Sequence, residues 1–365
     1  MSTSARIGVI GAGWWATSFH LPALAHHPRA EIVGVVDLDE RKAEEAARRN
    51  GVASWHTDHR RLLEAGVDGV IVATPHDTHF ALARDALEAG VDVLVEKPMV
   101  IEAEHGRELV RLAHERGRRL HVGYPFPYTR HAQLLRRLVE DGRLGDILTA
   151  TGLFATSVIP LYRGAIDTTM DVSDGTLWPT GQDTYSDPTR GGGQLFTQVT
   201  HCASLLLFLS GLRPASVFCH SDVYDTEVDV WDGIVFKTDS GAVGTLSSTG
   251  TVLQHEKRVE EYRLFGSEGH ALLDTSGGSL RVELYGEPET IEPPPLEQDE
   301  IYPAHAPATR LVDAIVDDAP VVATGELGLL TVELLAAARS SAQAVAPVTV
   351  ELDEALITTN GKGAR

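Results

Sequence analysis

Three features of the sequence predict an α/β chain in two parts. Strand and helix signals alternate over the first 123 residues, a turn of the form G-x-G-x-x-A follows the first strand, and six strand-like runs crowd residues 216–284. The alternation predicts βαβ units around a parallel sheet of Rossmann type with right-handed connections. The closely spaced strands predict a second, α+β part on a large, mostly antiparallel sheet. A length of 365 residues suits two ordinary domains, divided here into 1–123 and 124–365.

In chain order, apolar runs bounded by Gly or Pro at 6–10, 31–36, 69–73, 91–95 and 120–122 give the first five strands. Residues 39–49, 78–89 and 102–116 give the helices between them. After Gly123 a helical stretch covers 128–142 and stops at Gly142, and a strand covers 146–154. A polar segment rich in Gly, Pro, Asp and Thr then runs to Arg190. A loop this long in a compact domain usually carries function or moves. A helix over 197–210 ends at Gly211. Strands follow at 216–221, 233–238, 242–248, 260–266, 270–274 and 280–284. A turn at 293–295 precedes closing helices near 307–316 and 325–344, and the tail 361–365 is expected to fray.

Composition excludes several roles. Hydrophobic residues make up 43% and charged residues 23%, which is a globular composition. With 52 acidic against 31 basic residues the net charge is −21, which repels phosphate backbones and anionic membranes, so nucleic acid is not an expected partner. The two cysteines, Cys202 and Cys219, form no CxxC spacing, so neither a metal site nor a disulfide is signalled, and both thiols are expected reduced and buried. No leader pattern opens the chain, and no apolar run reaches the ~18 residues of a membrane span. A soluble, cytoplasmic protein is expected.

Residues 6–13, RIGVIGAG, place the glycine turn between a strand and a helix. Gly11 permits the tight turn, Gly13 lets backbone approach a pyrophosphate, and Ala16 keeps the helix close to the strand, while the helix N-terminus attracts negative charge. Trp14 and Trp15 flank the same turn. Asp37, 26 residues after Gly11 at the end of the second strand, is placed to accept hydrogen bonds from an adenosine ribose and to repel a 2′-phosphate, which favours NAD over NADP. Arg41 is read as a solvated helix residue and Asp39 as a helix N-cap.

Beyond this turn, Glu96-Lys97-Pro98 follows the strand at 91–95. Ala73-Thr74-Pro75 with His79 resembles a T-P-N-x-x-H turn in which His76 replaces Asn. His20-Leu21-Pro22-Ala23-Leu24 and Gly191-Gly192-Gly193 leading to His201 complete the set. Together these segments resemble the Gfo/Idh/MocA family, that of glucose–fructose oxidoreductase and inositol dehydrogenase, over nearly the whole chain. The resemblance implies an open, mostly antiparallel sheet in the C-terminal domain and a nicotinamide held in the cleft between two domains. It also implies hydride transfer at a secondary alcohol of a sugar or cyclitol, and homodimers or homotetramers built through the open sheet face. It makes Thr74, Pro75, His76, His79 and Glu96 cofactor contacts. Lys97 becomes the group that hydrogen-bonds the reacting hydroxyl, and His201 the base, its ordinary pKa of ~6.5 suiting that role.

The family's D-x-G-x-H pattern stands here as Thr197, Gln198, Val199, Thr200 and His201. Threonine cannot ionise, so either another acid, such as Asp183 or Asp174, supports His201 or that support is absent. Thr197 and His201, four apart, are expected to share a helix face with Gln194 and Gln198 nearby. The segment 162–194, with Tyr162, Arg163, Asp174, Trp178, Asp183 and Tyr185, reads as a substrate loop or as an oligomer contact. Tyr124 is a further candidate for lining the cleft. Three functions fit: a sugar or cyclitol dehydrogenase, a redox-neutral glycoside-cleaving or epimerising enzyme with a transient keto-sugar, and a dinucleotide sensor without activity. Retention of Lys97 and His201 argues against the sensor.

Overall fold

The computed structural model describes residues 4–165, 182–253 and 258–357. Trp178, Asp174 and the tail at 361–365 lie outside the described residues. Two compact units form. The first contains Met1–Tyr124 and Ala304–Gly328, and the second Pro125–Ala165, Tyr185–Pro303 and the chain from Leu329 onward.

In the first unit β1 (Ala5–Ile10), β2 (Ala30–Val36), β3 (Trp55–His56), β4 (Gly69–Val72), β5 (Asp92–Val95) and β6 (Leu120–Val122) form one parallel sheet in the order β3-β2-β1-β4-β5-β6. That order reverses direction between β1 and β4, and ligands of such sheets bind outside the carboxyl ends of the strands at this point. The central strands are buried on both faces, as their unbroken Val/Ile runs require. Helices α1 (Leu21–His26), α2 (Glu40–Arg49), α3 (His59–Glu64), α4 (His79–Glu88) and α5 (Ala103–Arg116) fill the connections. Asp39 caps α2 by accepting the Arg41 N–H, and Arg41 itself is exposed.

One assignment is corrected here. Residues 304–328, placed in the C-terminal domain by the linear division, pack with the first unit. Ala308, Leu311 and Val312 share a core with Ile7, Val9, Leu21 and Leu94. Arg29 clamps the same helical stretch through Asp317 and Asp313. Chain order cannot show such a return, because the residues that receive the helix lie some 300 positions earlier.

In the second unit α6 (Arg130–Glu140) leads to β7 (Ile147–Ala155), then α7 (Ile159–Tyr162), the end of α8 (Gln182–Ser186), whose residues up to Thr184 fall in the first unit, and α9 (Thr200–Ser210). Strands β8 (Pro214–Asp222), β9 (Trp231–Thr238), β10 (Val243–Thr249), β11 (Val259–Gly266), β12 (Gly269–Asp274), β13 (Ser279–Leu284) and β14 (Val348–Thr349) complete an eight-stranded sheet, ordered β13-β12-β11-β7-β10-β9-β8-β14. All its pairs are antiparallel except β7 with β10. The alternation expected of a sheet covered on one face is clear in β9, where Asp232, Ile234, Phe236 and Thr238 are buried and Trp231, Gly233, Val235 and Lys237 are exposed. Helix α9 is buried almost all round, as its Leu-rich sequence demands. Cys202 and Cys219 are buried free thiols. Among the described residues no helix is long and apolar enough to cross a membrane.

Candidate active site

One group of candidate residues grows from the turn after β1. Gly11 adopts φ +101, and a Cβ there would sit 2.3 Å from the Ala73 carbonyl oxygen, so only glycine fits. Its N–H donates to the Val36 carbonyl, tying the turn to the end of β2. A Cβ on Gly13 would meet nothing within 4 Å. The protein therefore leaves open space over Gly13, as a pyrophosphate lying against the backbone requires, and a dinucleotide fits this turn. Asp37 is half-buried, and its carboxylate accepts the Ala12 and Asp39 N–H groups, both at 2.9 Å. Trp14 and Trp15 pack on each other and on Phe19 at the start of a π-type segment, Ala16–His20.

The T-P turn and the E-K-P segment are joined from beneath. His79 is fully buried, with Nδ1 2.9 Å from the Pro98 carbonyl and Nε2 2.9 Å from that of Thr74. Its geometry is that of a strut between the two loops. Thr74 receives the Thr78 hydroxyl at 2.7 Å, Pro75 is exposed, and His76 is buried with its ring edge toward His79. The Lys97–Pro98 peptide is cis. Glu96 accepts the Lys97 N–H at 3.1 Å and meets His20 Nε2 at 2.8 Å. Burial holds the Lys97 ammonium below the ordinary lysine pKa, and the Glu96 carboxylate opposes that shift. His20 belongs to the H-L-P-A-L segment but was not among the expected site residues. Its pairing with Glu96 crosses 76 positions, and no local pattern reveals that.

In the second unit Gly193 adopts φ +90, and a Cβ would lie 2.2 Å from Asp229 Oδ1. The chain then enters a π-type segment, Leu195–Val199, before α9 begins at Thr200. The expected regular helix from 197 thus starts with a wider turn, a feature frequent at functional sites. Thr197 is fully buried. Its hydroxyl donates to the Gly193 carbonyl at 2.6 Å and lies 2.7 Å from the Tyr162 hydroxyl. Tyr162 donates to Gln194 Oε1 at 2.7 Å, and Gln194 Nε2 donates to Ser248 Oγ at 2.6 Å. His201 is buried, stacked on Phe154 and edge-on to Phe126. Gln198 is partly exposed.

Three expectations change. Tyr124 and Tyr162 are fully buried, so neither presents a ring face to a ligand, and Tyr162 instead works through its hydroxyl. Asp183 is exposed on the short helix α8, so it is not a buried partner for a histidine. Tyr185 is half-buried against Tyr162, Val228 and Val230, and its carbonyl accepts the Gly193 N–H. The acids beside the glycine loop are Asp229, half-buried, and Asp232, buried. They sit in a stretch, V-D-V-W-D, with no recognisable motif. Among the described residues no cluster of three or more His, Cys, Asp or Glu could hold a metal ion.

Residues 5–124 match the family model described as "Oxidoreductase family, NAD-binding Rossmann fold", and residues 132–272 match that of the GFO/IDH/MocA C-terminal domain. The chain belongs to the GFO/IDH/MocA oxidoreductase family. Residues 5–124 are accordingly an NAD-binding Rossmann domain. Among relatives, dTDP-3,4-didehydro-2,6-dideoxy-alpha-D-glucose 3-reductase of Streptomyces violaceoruber is 30% identical over 318 residues, 86% of this chain and 84% of that protein. The uncharacterized oxidoreductase YdgJ of Escherichia coli is 34% identical over 153 residues, but the match spans only 40% of this chain and 42% of YdgJ. The crystal structure of GenD2 from gentamicin A biosynthesis, in complex with NAD, superposes with a TM-score of 0.77 at 26% identity, covering 96% of this chain and 98% of that one.

Proposed function

We propose that this family member is an NAD-dependent dehydrogenase that takes a hydride from a secondary hydroxyl of a sugar, glycoside or cyclitol. The observation that carries the proposal is Lys97, whose backbone N–H donates to Glu96 and whose ammonium is held by burial below the ordinary lysine pKa, at the carboxyl edge of a dinucleotide-binding sheet. The nicotinamide, when bound, accepts the hydride. Lys97 donates a hydrogen bond to the reacting oxygen and favours its alkoxide character. His201 takes the hydroxyl proton. Gln198 and Tyr185 position the remaining hydroxyls, with the buried hydrogen-bonded group of Tyr162, Gln194 and Thr197 fixing the loop beside them. The Streptomyces relative, named for reduction of a deoxysugar nucleotide, supports a carbohydrate substrate.

Asp37 supports preference for NAD over NADP, since a second anion at a ribose 2′ position would face its carboxylate. In the same proposal the protein is cytoplasmic and self-associates as a dimer or tetramer through the open face of the eight-stranded sheet, where Trp231, Val235, Val243 and Phe265 are exposed. Light scattering tests that assembly. The test of function is NADH formation from NAD with a panel of hexoses, glycosides and inositols. Steady accumulation of NADH with one of them is expected. Consumption of a glycoside with no net NADH would replace this proposal by the redox-neutral one.

A further inference from the structure

Asp229 and Asp232 form a buried pair of carboxyls that the proposed chemistry does not use. Asp232 is 3% exposed, and neither of its oxygens meets an N–H or hydroxyl donor of the described residues. Its one polar side-chain partner is Asp229. No lysine, arginine or histidine pairs with either acid among the described residues. The titratable groups around the pair are Tyr162 from α7 and Cys219 from β8. Two neighbouring anions in such surroundings are strongly disfavoured, and a carboxyl–carboxylate hydrogen bond relieves both the repulsion and the unmet acceptors.

Asp229 also grips the glycine loop at two points. Its Oδ2 accepts the Leu195 N–H at 2.6 Å, and its backbone carbonyl accepts the Gln194 N–H at 2.8 Å. Gly193 is bare because Asp229 Oδ1 occupies the place of its side chain. Everything that Gln194 and Thr197 order, the Tyr162 and Ser248 hydroxyls included, depends on where this loop sits.

We propose that Asp232 holds a proton and donates it to Asp229, and that this shared proton makes Asp229 the positioning residue for the segment from Gly193 to His201. Burial pushes Asp229 up to about 6 and holds Asp232 well above the ordinary carboxyl range, the neighbouring Asp229 carboxylate adding to the second shift. Loss of the second proton at alkaline pH sets two buried charges against each other and releases the loop.

The consequence for turnover rests on the dehydrogenase proposal, but the clamp is measurable without substrate. The experiment follows hydrogen exchange of the peptide covering residues 191–199 in the full chain, together with the infrared band of protonated carboxyls at pH 7. Asp229→Ala is expected to speed exchange on the order of 10- to 100-fold, the effect of losing one hydrogen bond to a charged acceptor. Asp232→Asn, whose amide donates permanently, should keep the protection, extend it to higher pH and remove one carboxylic-acid band. Unchanged exchange in Asp229→Ala, or a spectrum unaltered in Asp232→Asn, overturns the proposal. If Asp229→Ala does not fold, the spectrum and pH dependence of Asp232→Asn decide alone. With whichever sugar reduces NAD, Asp229→Ala should raise KM for the sugar and leave NAD affinity intact. If no sugar is turned over, the dehydrogenase proposal fails while exchange and infrared data still judge the clamp.

Discussion

Two turns in this molecule follow one plan. Each contains a glycine in the left-handed region, Gly11 at φ +101 and Gly193 at φ +90, and each leads into a π-type segment, Ala16–His20 or Leu195–Val199. Each is held by an aspartate that accepts a backbone N–H, Asp37 from Ala12 at 2.9 Å and Asp229 from Leu195 at 2.6 Å. They differ in what surrounds the carboxylate. Both are half-buried, but Asp37 spends its second oxygen on the Asp39 N–H, whereas Asp229 faces a second acid, Asp232. The same backbone device serves in one case to present a charge and in the other to fix a loop.

The comparison breaks most visibly through the groups the two turns serve. Lys97→Ala and His201→Asn should each lower kcat on the order of 10²–10⁴-fold while NAD still binds by titration. Wild-type kcat in either variant would remove that residue from the chemistry.

The next effect is one of pH. Burial raises the folded-state pKa of Asp229 from 3.8 to about 6. Its contribution to stability is fully present below about pH 4 and is lost as pH rises through about 6. At ~1.36 kcal/mol per unit the loss is on the order of 3 kcal/mol. Denaturant unfolding between pH 4 and 7 should show this decline, and Asp229→Asn, which does not titrate there, should lack it.

On the other turn, Asp37→Ala should narrow the preference for NAD over NADP about tenfold, roughly the worth of one charge-assisted hydrogen bond. Equal discrimination in wild type and variant would deny Asp37 its role. Thr197→Val should cost about 1 kcal/mol in stability through the lost bond to Gly193. Arg41→Ala, an exposed residue whose one ion pair among the described residues is with Asp39, should change unfolding and cofactor affinity by less than about 0.5 kcal/mol.

The cofactor turn was legible because every part of it is local. Gly11, Gly13, Ala16 and Asp37 lie within one βαβ unit at spacings set by strand and helix length. Residues 304–328, Glu96 with His20, and Asp229 with Leu195 were not legible. Each joins segments far apart in the chain, and none repeats with a helical or strand period. The departure from aspartate at Thr197 was visible in the sequence, but its meaning was not. Threonine there does not stand in for a carboxylate toward His201. It closes a hydroxyl chain with Tyr162 and the Gly193 carbonyl, which only coordinates reveal.

The parallel pairing of β7 with β10 has a further consequence. A strand whose neighbour runs the same way cannot be joined to it by a tight turn, so the chain must leave the sheet after Ala155 and re-enter it at β8. Strand register is set by the pairings themselves. The first residues of the excursion nonetheless stay tied to the sheet, because Ser157 bridges Thr251 and the Val158 N–H donates to the Gly250 carbonyl. The stretch proposed to read the sugar is thus fastened by the sheet before it and by Tyr185, whose carbonyl holds the Gly193 N–H, at its end, so a change of specificity there must leave both ties in place.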